Sequence, residues 1–191
     1  MVSATQAVFL GFMGLLVAER LVELWLSKRN AARAFARGGV ETGQGHYRFM
    51  VAFHTLFLVA CVAEVFGLGR PFPGAGGWVA LAAAVGAQAL RYWAIATLGE
   101  RWNSRIIVVP GLAPVTGGPY RFLKHPNYVA VVAELLAVPL IHGAWLTAAV
   151  FTLGNAALLF VRIRAEEAAL GAPWAQAFAE RPRFIPEVRR G

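Results

Sequence analysis

Long apolar runs separated by short polar segments organise the whole chain. Five runs are long enough to cross or nearly cross a bilayer, which takes about 20 residues as an α-helix. They cover Thr5–Leu26, Phe49–Leu68, Gly76–Leu98, Asn127–Ile141 and Ala144–Ile163. The fourth run is the shortest and carries Glu134. The pattern predicts an all-α integral membrane protein with about five transmembrane helices in a single domain, 1–191.

The polar connections differ in charge, and this difference predicts an orientation. Ser27–Arg48 carries five basic residues against one glutamate, and Gly99–Pro126 carries four against one. Gly69–Ala75 holds only Arg70, and the chain is basic again near its C-terminus. Connections rich in Lys and Arg stay on the cytoplasmic side. We therefore expect the N-terminus outside and the C-terminus in the cytoplasm, and the compact, Ala- and Gly-rich spans fit a bacterial inner membrane.

Composition narrows the chemistry. Of 191 residues, 58% are hydrophobic and only 15% are charged, against about 25% charged in soluble domains. The chain has no aspartate, which excludes Asp-based triads and Asp–Mg²⁺ phosphoryl transfer. The net charge of +8 is distributed between apolar runs, so anionic lipid is the expected partner rather than nucleic acid. The single Cys61 and four scattered histidines predict no metal site.

Charged residues inside the apolar runs collect at one end of the predicted bundle. Charges within spans are costly and usually mark functional or paired positions. The predicted topology places most of them in the cytoplasmic half: Glu19, Arg20, Glu23, Arg91, Glu134, Arg162, Arg164, Glu166 and Glu167. This concentration predicts a polar cavity open to the cytoplasm. It leaves open whether Glu134 or Arg105 contributes to the cavity. We expect His54 and His142 to be packing or interfacial residues.

The third connection carries the chemistry. It reads GERWNSRIIVVPGLAPVTGGPYRFLKHPNY from Gly99 to Tyr128, which is too long and too patterned for a simple linker. The sequence His125-Pro126 predicts the start of the fourth helix, since proline is favoured in a first turn. The N-terminus of a helix presents free backbone N–H groups and a positive dipole. That environment suits a ligand carboxylate.

Three blocks of this region resemble the isoprenylcysteine carboxyl methyltransferase family. They are Gly118-Pro119-Tyr120, then Lys124-His125-Pro126-Asn127-Tyr128, then Arg162 followed four residues later by Glu166-Glu167. They look like the family's G-x-Y turn, its R-H-P-x-Y helix start and its R-x-x-x-E-E pair, in the same order and spacing. Lys124 replaces the family's usual arginine. The resemblance covers 99–186, the predicted methyltransferase-like core, and leaves 1–98 as three N-terminal spans.

The resemblance implies an S-adenosylmethionine-dependent methyltransferase with a cytosolic cofactor pocket, formed by the loop before helix 4 and the ends of helices 4 and 5. A lipid-like acceptor would enter from the bilayer. The implied cofactor-binding residues are Leu112, Ala113, Pro114, Val115, Tyr120, His125, Pro126, Asn127, Tyr128 and Glu166. Arg162 would face the acceptor and act in catalysis. The acceptor would carry a carboxylate, as in prenylated cysteine, or an acidic hydroxyl, as in alkylpyrones and phenolic lipids.

Two other classes of function remain open on the sequence. A membrane reductase of the sterol reductase type would use NADPH, and basic residues for its 2′-phosphate are present at Arg101, Arg105, Arg121 and Lys124. A non-enzymatic membrane assembly protein is the other alternative. The Arg162–Glu166 spacing places both side chains on one helix face and favours the methyltransferase. The sequence does not determine the oligomeric state.

Overall fold

A computed structural model describes residues 3–184 of the chain. Five α-helices account for most of these residues: α1 (Ala4–Ala36), α2 (Gln44–Gly67), α3 (Ala75–Leu98), α4 (Pro126–Leu140) and α5 (Trp145–Ala177). Two short strands, β1 (Val40–Thr42) and β2 (Ile106–Val108), lie in the first and third connections. The predicted all-α membrane architecture with five helices is confirmed. The tail arginines Arg189 and Arg190, and the last two residues of the predicted core, lie outside the described residues.

Within residues 3–184, three helical segments are long and apolar enough to cross a membrane: Gln44–Gly67, Ala75–Arg101 and Trp145–Ala177. Helix α4 is equally apolar but has only 15 residues. Helix α1 has 33 residues and includes the charged side chains of Glu19, Arg20 and Glu23.

Two helices extend beyond the predicted apolar runs. Helix α1 continues past Leu26 to Ala36, and α5 continues past Ile163 to Ala177. Both extensions consist mainly of Ala, Arg, Lys, Glu and Leu, which are strong helix formers even where the surface is polar. Gly171, at φ 68° and ψ −163°, interrupts the helical backbone of α5 two residues before Pro173. The polar residues of both extensions therefore lie beyond the apolar part of the bundle.

Strands β1 and β2 pair antiparallel, with Val40 opposite Val108 and Thr42 opposite Ile106. The β-branched run of the third connection therefore pairs with the first connection, with Glu41 opposite Ile107. The Glu41 carboxylate also accepts a hydrogen bond from Arg105, just before β2, at 2.9 Å. This ribbon ties together the two basic connections that the charge pattern placed on one side of the membrane.

Helix α4 packs between α3 and α5. Small residues on α3, among them Ala80, Ala84 and Ala87, are buried. Small side chains allow the close helix–helix approach typical of membrane bundles. Farther along the bundle, Phe9, Leu16 and other large apolar side chains complete the buried core.

The polar groups at the opposite end of the bundle from the ribbon are fully engaged with one another. The Glu64 carboxylate accepts hydrogen bonds from Arg70 and from the backbone N–H groups of Leu146 and Thr147, at the start of α5. His142 contacts the Arg70 carbonyl at 2.9 Å through Nδ1 and the Thr5 hydroxyl at 3.2 Å through Nε2. These residues therefore act in helix capping and packing, and the expectation that His142 is a packing residue is confirmed.

Candidate functional site

One cavity of about 900 Å³ extends along α4 between the other elements. Its volume lies near the upper end of the range for ligand pockets, so it has room for two small ligands. All of the site residues predicted from the sequence line it except one: Leu112, Ala113, Pro114, Val115, Tyr120, His125, Asn127, Tyr128, Arg162 and Glu166. Pro126 is the exception. It occupies the first turn of α4, where its ring is fully buried, so it shapes the helix start rather than the cavity wall.

Tyr128, Arg162 and Glu166 form one hydrogen-bonded group across α4 and α5. The Tyr128 hydroxyl donates to Glu166 Oε2 and accepts from Arg162 Nε at 2.9 Å. Arg162 also donates from Nη2 to the Ser104 carbonyl at 2.7 Å. Its Nη1 is buried without a partner in the part of the chain that the structure describes. The guanidinium is therefore held rigidly by two contacts, with one donor free.

Stacked rings and an ion pair hold the start of α4 in place. The His125 ring stacks on Tyr128 at a centroid distance of 5.3 Å and lies 5.4 Å from Trp174. His125 Nε2 donates to Glu167 at 3.0 Å, and both Glu167 oxygens accept from Arg183 at 3.0 and 2.7 Å. The two glutamates of the Glu-Glu pair thus differ, since Glu167 is engaged in structure while Glu166 faces the cavity.

The tail after α5 occupies some of the free N–H groups before α4. The backbone N–H of Lys124 donates to Pro182 at 2.9 Å, and that of His125 donates to Arg183 at 3.4 Å. Asn127, one residue into the helix, keeps a buried side-chain oxygen without a partner among residues 3–184. At the start of α4, the side-chain oxygen of Asn127 is therefore the hydrogen-bond acceptor that remains for a ligand.

Polar side chains of α1 fix the loop that precedes the cavity wall. Asn30 donates to the carbonyls of Gly99 and Trp102 at 3.1 and 2.8 Å. Ser27 bonds the Asn103 and Ser104 side chains, both at 2.8 Å. Ser104 is the residue whose carbonyl holds Arg162. The extension of α1 thus positions the catalytic arginine predicted on α5, a role that the apolar pattern gives no means of finding.

The G-x-Y block forms a short 3₁₀ turn, Gly118–Arg121, that packs on α3. It directs the Tyr120 ring into the cavity wall, where burial and the Glu166 carboxylate raise the pKa of the Tyr120 phenol above its ordinary value. The hydroxyl therefore stays protonated. Gly118 has a φ of +53°, and a Cβ there would clash with the Thr97 side chain. Both facts require glycine at this position.

Replacing Gly118 by alanine is therefore expected to destabilise the protein by about 1–3 kcal/mol through overpacking, seen as a lower thermal unfolding midpoint in detergent. Gly117→Ala is the matched control, because Gly117 has a φ of −84° and an added Cβ would meet no atom within 4 Å. Adding Thr97→Ala should restore part of the loss. Equal midpoints for the two glycine variants would contradict this explanation.

The cavity continues past Tyr128 to a buried ion-pair cluster, Arg20, Glu23, Arg91 and Glu134. Arg91 donates twice to Glu23, at 2.6 and 2.7 Å, and Arg20 lies 3.1 Å from Glu23. Arg20 and Arg91 both lie 3.8 Å from Glu134. The predicted convergence of intramembrane charge is thus present in the structure. Glu134 and Arg105, left open by the sequence, both line the cavity.

Helix α2 contributes a wall that the sequence analysis missed. Tyr47, Met50, Val51 and His54 line the cavity, at the spacing of three and four residues that places side chains on one helix face. His54, expected to be a packing or interfacial residue, is partly buried and also lines the cavity. Of these four residues only His54 is both polar and within the predicted run Phe49–Leu68, so the sequence offers no periodic signal for this wall.

Comparison with known proteins places the chain in a family. The model of the isoprenylcysteine carboxyl methyltransferase family matches residues 78–172. The uncharacterized protein YpbQ of Bacillus subtilis (strain 168) is 38% identical over 159 residues, which are 83% of this chain and 94% of that protein. An uncharacterized protein of Haemophilus influenzae (strain Rd) is 26% identical over 156 residues, 81% of this chain and 90% of that protein.

The matched segment contains α4, most of α3 and most of α5, and with them the Tyr128, Arg162 and Glu166 group. Among the described residues, the segments of α2, α3 and α5 are long and apolar enough to cross a membrane. The chain therefore belongs to the isoprenylcysteine carboxyl methyltransferase family and is an integral membrane protein of a methyltransferase family.

Proposed function

We propose that the protein transfers a methyl group from S-adenosylmethionine to a carboxylate or acidic hydroxyl of a lipid-borne acceptor, at the cytoplasmic face of a bacterial inner membrane. The observation that carries this proposal is the Tyr128–Arg162–Glu166 group, which leaves one Glu166 carboxylate oxygen and the Arg162 Nη1 without partners on two residues that line the same cavity. A carboxylate suits the cofactor's ammonium group, and a guanidinium suits an anionic acceptor oxygen.

The residues around the predicted cofactor end fit such a ligand. Tyr120, His125 and Trp174 offer aromatic surface, while Asn127 and Glu166 offer polar atoms without a complete set of partners. The rigid supports beneath them, Glu167 and the tail, keep these groups in place before a ligand arrives. When bound, the cofactor supplies an electrophilic methyl group on a sulfonium.

The remaining task of the protein is alignment. The acceptor oxygen must lie in line with the methyl–sulfur bond, and correct orientation alone can supply about 7–11 kcal/mol of the barrier. The free Nη1 of Arg162 would hold that oxygen, while the bonds to Tyr128 and Ser104 fix the direction of the guanidinium. An acceptor that is already anionic needs no general base.

A lipid acceptor is supported by the way the cavity meets the surface of the bundle. Leu24 on α1 and Val51 on α2 line the cavity and are 44% and 39% exposed. Because both apolar side chains line the cavity and are also exposed at the surface of the bundle, they support a route by which an alkyl chain would reach the cavity from the bilayer. The basic third connection, at the other end, supports the cytoplasmic orientation.

The reductase alternative receives less support from the arrangement of cations. Of the four basic residues named for a 2′-phosphate, Arg105 binds Glu41 and Arg101 donates to the Ala113 carbonyl, so both are engaged within the chain. Arg121 and Lys124 lie over the Phe122 and Trp174 rings, which leaves two cations for a 2′-phosphate instead of a cluster of four.

The test is calorimetric binding of S-adenosylhomocysteine to the detergent-purified protein, with NADPH titrated in parallel. Saturable binding of S-adenosylhomocysteine alone is the expected result. Binding of NADPH alone would assign the protein to the reductases. A folded sample that binds neither ligand would reject the proposed activity for this chain.

A further inference from the structure

The inner end of the cavity offers hydrogen-bonding groups that the proposed chemistry does not use. Tyr128 and Glu134 both line the cavity and are six residues apart on α4, a rise of about 9 Å along a helix. Val131, between them, lines it too. The cavity therefore has two polar ends, one at Arg162 and one at Glu134, joined by an apolar stretch about the length of a small ring system.

His54 presents a free acceptor at the inner end. Its Nδ1 lies 2.8 Å from the Met50 carbonyl, and because a carbonyl oxygen only accepts, Nδ1 carries the proton. In the neutral imidazole Nε2 then has no proton and presents a lone pair. Nowhere in residues 3–184 does Nε2 have a hydrogen-bond partner, and the side chain lines the cavity.

Glu134 and Arg20 are also incompletely bonded. Glu134 is only 8% exposed, yet its nearest cations, on Arg20 and Arg91, are 3.8 Å away and beyond hydrogen-bond distance. Arg20 Nε is buried without a partner in the described chain. The neighbouring Glu23, by contrast, accepts two short hydrogen bonds from Arg91. Unused hydrogen-bonding capacity therefore lies on Arg20 and Glu134, whose charges act on the nearby His54.

We propose that His54, Arg20 and Glu134 form a second subsite that binds a neutral hydrogen-bonding group of the methyl acceptor, such as a hydroxyl. This inference rests on the proposed methyltransferase function. Arg20 and Arg91 carry two positive charges against Glu23, Glu134 and the nearby Glu19, which lies 3.8 Å from Arg20, so the subsite has no excess positive charge and favours a neutral group over an anion. A hydroxyl can donate to Nε2 or to the carboxylate and accept from Nε.

The subsite specifies the chemistry of the acceptor more closely. The head of the acceptor carries two polar groups, one methylated near Arg162 and one bound near His54. The alkyl tail of the acceptor leaves the cavity between Leu24 and Val51. A molecule with a single polar group and a plain hydrocarbon chain would leave the groups of the subsite buried and unpaired, which is unfavourable.

The experiment compares two probes of equal chain length, a 5-alkylresorcinol with two ring hydroxyls and a 3-alkylphenol with one. Binding is measured on the full chain in detergent, saturated with S-adenosylhomocysteine. The resorcinol is expected to bind about tenfold more tightly, the effect of one good hydrogen bond. His54→Leu should remove this preference by weakening the resorcinol only, and His54→Gln, which keeps an acceptor, should restore part of it.

Gln44→Leu is the matched control, since Gln44 is exposed at the start of the same helix and does not line the cavity; both affinities should stay unchanged. Equal or absent binding of the two probes by wild-type protein that binds S-adenosylhomocysteine would overturn the subsite alone. So would a His54→Leu variant that loses affinity for both probes equally, as expected of a purely structural residue. Failure to bind S-adenosylhomocysteine would reject the proposed function as well.

Discussion

Arg162→Lys is expected to lower kcat by roughly 10²–10³-fold, the effect of losing one well-placed donor in a transition state, while affinity for S-adenosylhomocysteine stays nearly unchanged. Lysine keeps the charge but lacks the planar fork. A single ammonium cannot hold the Tyr128 hydroxyl, the Ser104 carbonyl and an acceptor oxygen in the positions that Nε, Nη2 and Nη1 define. The acceptor then binds without the alignment that displacement needs.

The matched control for this prediction is Arg164→Lys. Arg164 lies two residues farther along α5, packs against the Phe160 ring and does not line the cavity. Turnover is measured as transfer of a labelled methyl group into lipid extract, and binding by calorimetry on the same preparations. A similar loss of turnover in both variants, or loss of cofactor affinity in Arg162→Lys as large as the loss of turnover, would show that Arg162 does not act on the acceptor.

The apolar runs and the ordered motifs are the parts of this molecule that sequence predicts well. Hydrophobic spans report directly on the solvent that surrounds them, so the five helices follow from the pattern. The three blocks carrying Tyr120, Tyr128 and Arg162 lie on different elements, yet the structure brings them to one cavity. The spacing of the three blocks predicts that they meet, because the third connection, α4 and α5 follow one another with little chain between them.

Long-range polar contacts are the parts that sequence does not predict. The bonds from Ser27 and Asn30 to the third connection span about 70 residues, and nothing in either segment identifies its partner. The pairing of β1 with β2 is equally hard to predict. Each strand has three residues, and strands are recognised from alternation of apolar and polar residues over longer runs. His54 was missed because one polar residue in an apolar run has no periodicity of its own.

The Glu166-Glu167 pair shows why a motif needs a structure before its members are given roles. The two residues are adjacent in sequence, but successive side chains on a helix point about 100° apart. Glu167 therefore turns toward Arg183 and the start of α4, while Glu166 turns toward Tyr128 and the cavity. A single substitution in each separates ligand binding from support of the fold.

Glu166→Gln is accordingly expected to weaken S-adenosylhomocysteine binding by roughly ten- to a hundredfold. The Oε1 atom of Glu166 has no hydrogen-bond partner among residues 3–184, and a hydrogen bond to a charged group contributes about 1.5–3 kcal/mol. Glutamine keeps the shape and can still accept from Tyr128, but it loses the charge that attracts an ammonium group. Calorimetry on wild type and variant measures the difference directly.

Glu167→Gln is the control for this substitution, because both of its oxygens already bind Arg183. It should lower the thermal midpoint of the protein and change affinity for S-adenosylhomocysteine less than Glu166→Gln does. Comparing deaminated S-adenosylhomocysteine, which lacks the ammonium group, sharpens the test, because wild type and Glu166→Gln should bind it alike. If the wild type still bound that analogue much more tightly than the variant, the carboxylate would be acting on the pocket's shape and not on the cofactor's charge.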